Sequence, residues 1–295
     1  MSRNANVLNE FQGEWGGIWT EKKLEAFSKY VWSYLTIMKN YPYWKTIYFD
    51  GFAGSGTREK RTNGDLMQQL KITEEEERTY KGAAERILGL ENLGFDYYYF
   101  IDKNEESLNK LKQKLNEQFK NKNLEFRLGD ANEQLNKLAK ALQDNKYAAL
   151  VFLDPFGMQI DWNSIANLKG TRSDVWILVP TGVIVNRLLD KAGKLEFSDK
   201  LESFFGLPIA EIKSFFYEEK KIPTLFGEEE IITKVSKPIE KIANLYAQRM
   251  KTIWEHVTEE PLVLKNSNNV PIFHFVFASN KKNAKKIAKQ IIDKI

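Results

Sequence analysis

The spacing of apolar positions changes along the chain, and each change marks an element. Leu24, Phe27, Val31, Leu35 and Met38 recur every three or four residues, which predicts a helix with one buried face. Thr20 is a candidate cap for it, and Pro42 lies just beyond its end. Thr46–Phe49 then reads as a strand, closed by Asp50 and the turn Gly51-Phe52-Ala53-Gly54-Ser55-Gly56. The pattern repeats from there. Tyr97–Ile101 ends in Asp102 and precedes a helix with Asn104 as its cap and Leu108, Leu111, Leu115 and Phe119 on one face. Leu124–Leu128 ends in Gly129-Asp130 and precedes a helix with Leu135, Leu138, Ala139 and Leu142. Ala148–Leu153, the strongest apolar run, ends in Asp154-Pro155-Phe156-Gly157, and Val175–Val179 ends in Pro180-Thr181-Gly182.

Strands apolar at every position are buried on both faces, so the repeat predicts an α/β fold with a doubly wound sheet of five parallel strands. Two stretches interrupt it. Residues 57–80 are polar and broken, with Arg58, Lys60, Arg61 and Glu74-Glu75-Glu76-Glu77, and read as an insertion beside the strand ends. A helix resumes at about 82–90. Residues 183–260 read as mainly helical, with a helix over 238–257, and exceed what one crossover needs. Leu262–Leu264, a polar turn at Ser267-Asn268-Asn269 and Ile272–Phe277 then predict an antiparallel hairpin. A last helix carries Ala284, Ile287, Ala288, Ile291, Ile292 and Ile295 on one face. The expected units are an N-terminal arm and helix (1–45), an α/β core (46–182), a helical insertion (183–260) and a closing hairpin and helix (261–295). Five parallel strands with a C-terminal antiparallel hairpin is the class I methyltransferase, Rossmann-like, topology.

Composition narrows the chemistry. With 295 residues, 42% hydrophobic and 28% charged, the chain is ordinary globular material. A net charge of +4 permits a nucleic-acid partner without demanding one. No apolar run approaches the roughly 18 residues of a membrane span, and Met1–Glu10 is polar, so the expectation is a cytoplasmic protein. The absence of cysteine excludes disulfides, thiolate zinc sites and a cysteine nucleophile. With only His256 and His274 present, no metal centre is expected.

The glycine turn after the first strand admits three readings. A phosphate-binding P-loop needs Lys-Ser/Thr after its last glycine, and Gly56 is followed by Thr57-Arg58. The dinucleotide fingerprint G-x-G-x-x-G does not fit the spacing G-x-x-G-x-G. The third reading is the cofactor turn of an S-adenosylmethionine (SAM) methyltransferase. Gly51, Phe52, Ala53, Gly54 and Gly56 then lie against the methionine portion, with Asp50 holding its amino group. Asp102 accepts the ribose hydroxyls, and Asp130 with the Ala131 backbone receives the adenine. Four of the first five strands end in an acid, and ligands of such sheets sit at the carboxyl ends of the strands.

Asp154-Pro155-Phe156 falls where the methyl would point. Amino-methyltransferases place an Asp/Asn/Ser-Pro-Pro-aromatic segment there. The acid and a prolyl carbonyl accept the two amine protons and localise a lone pair otherwise spread into the base. The aromatic ring stacks on the flipped-out base. Here the acceptor is Asp154, the carbonyl is that of Pro155 and the platform is Phe156, without a second proline; the alternative is that Asp154-Pro155 only terminates the strand. Trp19 either stacks on a substrate base or packs the arm onto the core. Arg58, Lys60 and Arg61 either touch phosphates or form a solvated loop.

Phe49-Asp50-Gly51-Phe52-Ala53-Gly54-Ser55-Gly56 together with Phe152-Leu153-Asp154-Pro155-Phe156-Gly157 resembles the three-Cys-motif partner family (TcmP). Trp19-Thr20-Glu21-Lys22-Lys23-Leu24 and Phe275-Val276-Phe277-Ala278-Ser279 are similar to that family too. The resemblance implies a class I methyltransferase-like fold, a bacterial or archaeal origin, and a cysteine-rich partner protein encoded nearby, often in mobile or defence neighbourhoods. The function expected is SAM-dependent methylation of nucleic acid, DNA or RNA, at an adenine exocyclic amine. The alternative is a non-catalytic partner of the cysteine-rich protein.

Overall fold

In the computed structural model, which describes residues 18–55, 82–190, 193–195, 197–224 and 227–295, the apolar runs become strands of one sheet. β1 (Lys45–Asp50), β2 (Tyr97–Asp102), β3 (Leu124–Leu128), β4 (Tyr147–Leu153) and β5 (Ser173–Val179) are parallel, in the order β3-β2-β1-β4-β5. Helices alternate with them: α1 (Ile18–Met38) before β1, α2 (Ala83–Leu88), α3 (Glu105–Gln118), α4 (Ala131–Ala141) and α5 (Trp162–Ala166). A π-helical turn, Thr181–Val185, follows β5, then α6 (Ser198–Phe205) and α7 (Ile209–Phe216). An antiparallel ribbon of β6 (Tyr217–Thr224) and β7 (Gly227–Lys234) comes next, and then α8 (Pro238–Met250). The sheet is completed by β8 (His256–Val257), β9 (Leu262–Lys265) and β10 (Pro271–Ser279), and α9 (Lys282–Ile292) closes the chain. β10 runs antiparallel to β5, and β8 and β9 pair with its other edge.

The centre of the sheet is buried because β1, β4, β5 and β10 have no polar face, whereas the edge strand β3, with Glu125 and Arg127, is only partly covered. Every residue of β4 after Tyr147 is buried, as is every residue of β1 after Lys45. α1 covers it with the predicted face: Leu24, Phe27, Val31 and Leu35 are buried, joined by Tyr30 and Tyr34. Phe27 stacks on Phe152 with ring centroids 4.2 Å apart, and Tyr30 meets Phe277 at 4.7 Å. A side chain of this size contributes about 1.5–3 kcal/mol when fully buried. Asn104 caps α3 by accepting from Ser107 N at 2.8 Å, as its position predicts.

Two local expectations are corrected and a third is refined. Thr20 is not a cap but a buried residue inside the first turn of α1. The helix expected over 238–257 stops at Met250. Trp254 Nε1 donates to Ser173 O at 3.2 Å, and Val257 pairs with Ala278, so sheet contacts take that segment out of helical register. The 183–260 stretch, read as mainly helical, holds helices but also carries the β6–β7 ribbon. Its strands contain charged runs, Glu218-Glu219-Lys220-Lys221 and Glu228-Glu229-Glu230, without apolar alternation, so nothing in their pattern marked them. Backbone pairing joins the strands along their length, and Lys221 and Glu230 meet across them at 3.5 Å. At its base Lys234 Nζ donates to Asn186 O and Oδ1, both at 2.8 Å, and to Leu189 O at 2.5 Å.

Candidate active site

Strand register brings the acids together. Asp50 pairs with Phe100 of β2 and Phe152 of β4, so Asp102 and Asp154 each stand two residues beyond it on the neighbouring strands. Asp102 pairs with Leu128, and Asp130 lies two residues further on. Asp50, Asp102 and Asp154 are 2%, 6% and 4% exposed. Three carboxylates on three adjacent strands are thus buried at one end of the sheet.

The glycine turn is held by these acids. Asp50 accepts from Phe52 N at 3.1 Å and from the Tyr48 hydroxyl at 3.2 Å. Asp102 accepts from Gly54 N at 2.8 Å and from Asn104 N at 2.7 Å, while Ala53 N donates to Ile101 O at 2.8 Å. Gly54 has φ +62°, a left-handed conformation that favours glycine, and a Cβ there would meet nothing within 4 Å. A Cβ on Gly51 would lie 2.8 Å from Leu153 Cδ2, so one could enter only if the buried Leu153 side chain of β4 shifted. Gly56, the candidate phosphate contacts Arg58, Lys60 and Arg61, and the whole expected 57–80 insertion lie outside the described residues.

Burial is the main reason that the Asp50 carboxyl is pushed up from 3.8 to about 7. The Phe52 N–H and the Tyr48 hydroxyl work against it, and the charges of Asp154 and Asp102 add to it. Asp130 differs. It caps α4, accepting from Asn132 N at 2.7 Å and Glu133 N at 3.4 Å, and its other oxygen meets Lys103 Nζ at 2.5 Å. Burial works to raise its pKa, but the Lys103 ammonium and the Asn132 N–H outweigh burial and lower it. Ala131, the first residue of α4, is buried, and its Cβ is 3.7 Å from where a Cβ on Gly51 would be.

Asp154 meets a residue that periodicity did not single out. Lys23, from the first turns of α1, places Nζ 2.5 Å from Asp154 Oδ2, and its residue is 0% exposed. The available signal was positional: Lys23 precedes Phe27 by four and Tyr30 by seven, which puts it on the apolar face of the helix. Beyond Asp154, the Phe156 N–H donates to Gln159 Oε1 at 3.0 Å, and the Phe156 ring is 8% exposed. A Cβ on Gly157 would come within 2.6 Å of Ile184 Cδ1, so the loop after β4 is packed on the turn after β5. In that turn Thr181 Oγ1 and His274 Nδ1 are 2.8 Å apart. Burial lowers His274 to about 4, which keeps its imidazole neutral at pH 7. Trp19 is buried and stacked on Phe273 with centroids 5.3 Å apart, so its ring packs α1 onto the sheet instead of offering an open face.

Among the described residues no cluster of His, Asp and Glu has the geometry to hold a metal ion, and no helix is long and apolar enough to cross a membrane. The rim offers buried acceptors, which suit a ligand with cationic and hydroxyl groups, beside a glycine turn that keeps side chains out of the way.

No protein-family profile matches the chain, and no curated protein aligns with it significantly. Among solved structures it is similar to protein LPL1258 of Legionella pneumophila, from family DUF519. The identity is 14%, over 88% of this chain and 97% of that one, with a TM-score of 0.38. It is also similar to an rRNA methylase from Streptococcus thermophilus (14% identity, 65% of this chain, 88% of that one, TM-score 0.26). A third likeness is to a SAM-dependent methyltransferase from Anabaena variabilis (11% identity, 87% and 93%, TM-score 0.29). The fold assignment rests on strand order and direction, not on these likenesses. Five parallel strands in the order β3-β2-β1-β4-β5, with β10 inserted antiparallel beside β5, are the class I methyltransferase-like, Rossmann-like fold.

Proposed function

We propose that the protein is a SAM-dependent methyltransferase that modifies nucleic acid at an adenine exocyclic amine. The observation that carries this reading is the trio of buried carboxylates, Asp50, Asp102 and Asp154, on adjacent strand ends beside the Gly51–Gly54 turn. When bound, SAM supplies an electrophilic methyl group on a sulfonium. On this reading Asp50 takes the methionine ammonium, Asp102 takes the ribose hydroxyls, and Asp130 with the Ala131 N–H borders the adenine. Asp154 accepts one N–H of the base amine and the Pro155 carbonyl accepts the other. The nitrogen lone pair is thereby directed at the methyl carbon, and Phe156 lies against the base. Trp19 has its ring committed to Phe273 and is assigned no substrate role.

The test is transfer of labelled methyl from SAM into separate pools of cellular DNA, RNA and protein, with Asp154→Ala alongside. Label in one nucleic-acid pool, lost in the variant, is the expected result, and nucleoside mass spectrometry then gives the atom. Label in protein alone, or equal label with Asp154→Ala, overturns the reading.

One observation favours a second reading, a methyltransferase-fold partner of a cysteine-rich protein in a mobile-element or defence setting. Phe156 is buried instead of forming an open platform, and the motif runs Asp-Pro-Phe-Gly without a second proline. Co-purification with such a protein, with no label in any pool, would favour it.

A further inference from the structure

The buried residues of α1 include Trp19, Leu24, Phe27, Tyr30, Val31 and Leu35, and among the described residues of the helix Lys23 is the only buried charged one. Its ammonium reaches Asp154, 131 positions away in sequence, at 2.5 Å. A buried ion pair is a poor device for stability, because taking both charges out of water offsets much of their attraction, and apolar residues of equal volume often do as well. Packing already holds this helix: Phe27 stacks on Phe152 and Trp19 on Phe273. The pair therefore calls for a different account, and its location supplies one. It stands at the end of β4, next to the β1 strand end that carries Asp50, and the Asp154 charge is felt by Asp50.

We propose that Lys23 is a positioning residue for methyl transfer: it keeps Asp154 anionic and fixed in one rotamer, which makes α1 a working part of the site. The proposal rests on the transfer reading above. In that step the amine lone pair forms the new N–C bond, the C–S bond breaks with its electron pair going to sulfur, and the surplus N–H proton leaves through the Asp154 carboxylate to water. A methylated, still protonated aromatic amine is a strong acid, so its acceptor need not be a strong base. The acceptor must be an anion, and it must not rotate away. A carboxylate buried near two others is driven towards its neutral form unless a cation offsets them. Lys23 provides that cation, at the cost of some basicity that the step does not need.

The experiment compares wild type with Lys23→Met, Lys23→Gln and Lys23→Arg in the full chain. Lys23→Gln removes the charge but keeps a polar hydrogen-bond donor on a slightly shorter side chain, so it serves if the Met variant does not fold. Two readouts are taken. The first is the titration of the Asp154 side-chain carboxyl carbon by NMR, assigned against Asp154→Asn. The second is the pH–rate profile of methyl transfer with the SAM dissociation constant measured separately. The expected result is a titration midpoint raised by at least one pH unit in Lys23→Met or Lys23→Gln. The acid limb of kcat should move up with it, SAM affinity should stay within about threefold, and Lys23→Arg should restore much of the rate. An unmoved midpoint overturns the proposal, and so does a moved midpoint with an unchanged pH–rate profile. A moved midpoint in a protein whose wild type labels no pool overturns the transfer reading itself, and leaves Lys23 only the counter-ion of a buried carboxylate.

Discussion

Cofactor affinity should depend on pH through Asp50, and the size of the effect follows from its surroundings. Buried beside Asp102 and Asp154, Asp50 has a carboxyl that titrates at about 7 in the folded protein, against an ordinary value of 3.8. On the proposed reading only its anion binds the methionine ammonium. The ionised fraction falls about tenfold for each pH unit below 7, so SAM should bind about tenfold more weakly at pH 6 than at pH 8. At pH 5 the loss should approach two orders of magnitude. Isothermal calorimetry across pH 5–8, in buffers of different ionisation enthalpy, reads both the affinity and the proton released. Asp50→Asn should flatten the pH dependence and lose about 1.5–3 kcal/mol of binding at pH 8. A flat affinity in wild type, or a pH dependence that survives Asp50→Asn, refutes the reasoning. Stability supplies a matching test with its own sign. A carboxyl whose folded pKa is raised is penalised when ionised, so stability is lost as pH rises from about 4 to about 7. The interval corresponds to at most about 4 kcal/mol at 1.36 kcal/mol per pH unit. Without SAM, Asp50→Asn should therefore melt higher than wild type at pH 8 and close to it at pH 4.

Other outcomes follow from single contacts. Asp102→Ala should weaken SAM binding by about 1.5–3 kcal/mol and free the Gly54 N–H, measured by calorimetry and amide exchange; unchanged affinity would remove Asp102 from the cofactor site. Asp154→Ala should abolish transfer while SAM affinity falls by less than it does in Asp102→Ala, and full retained activity would refute its role. Phe27→Ala should cost about 3–5 kcal/mol in denaturant unfolding, because it empties the contact between α1 and Phe152. Gly182→Ala should destabilise by about 1–3 kcal/mol, since a methyl there would run into the Pro271 carbonyl oxygen; a neutral thermal shift would show that the turn after β5 can move.

The sequence by itself determined the alternation of strand and helix, because continuous apolar runs and a three-to-four residue period each leave a local trace. It also located the acids at strand ends: Asp50, Asp102 and Asp154 directly follow apolar runs, and Asp130 follows a mixed one after Gly129. Tertiary structure decided what those acids do. Asp130 reads like the others in sequence, yet it is an exposed-side helix cap tied to Lys103, whereas Asp50 is sealed among like charges. Strand order sets that difference, and it is a property of pairing between segments distant along the chain. The same holds for Lys23, which the periodicity reading passed over and whose partner lies 131 residues away. The β6–β7 ribbon escaped for the opposite reason. Its strands are joined by backbone pairing and carry mostly charged residues, which leave no apolar period to read.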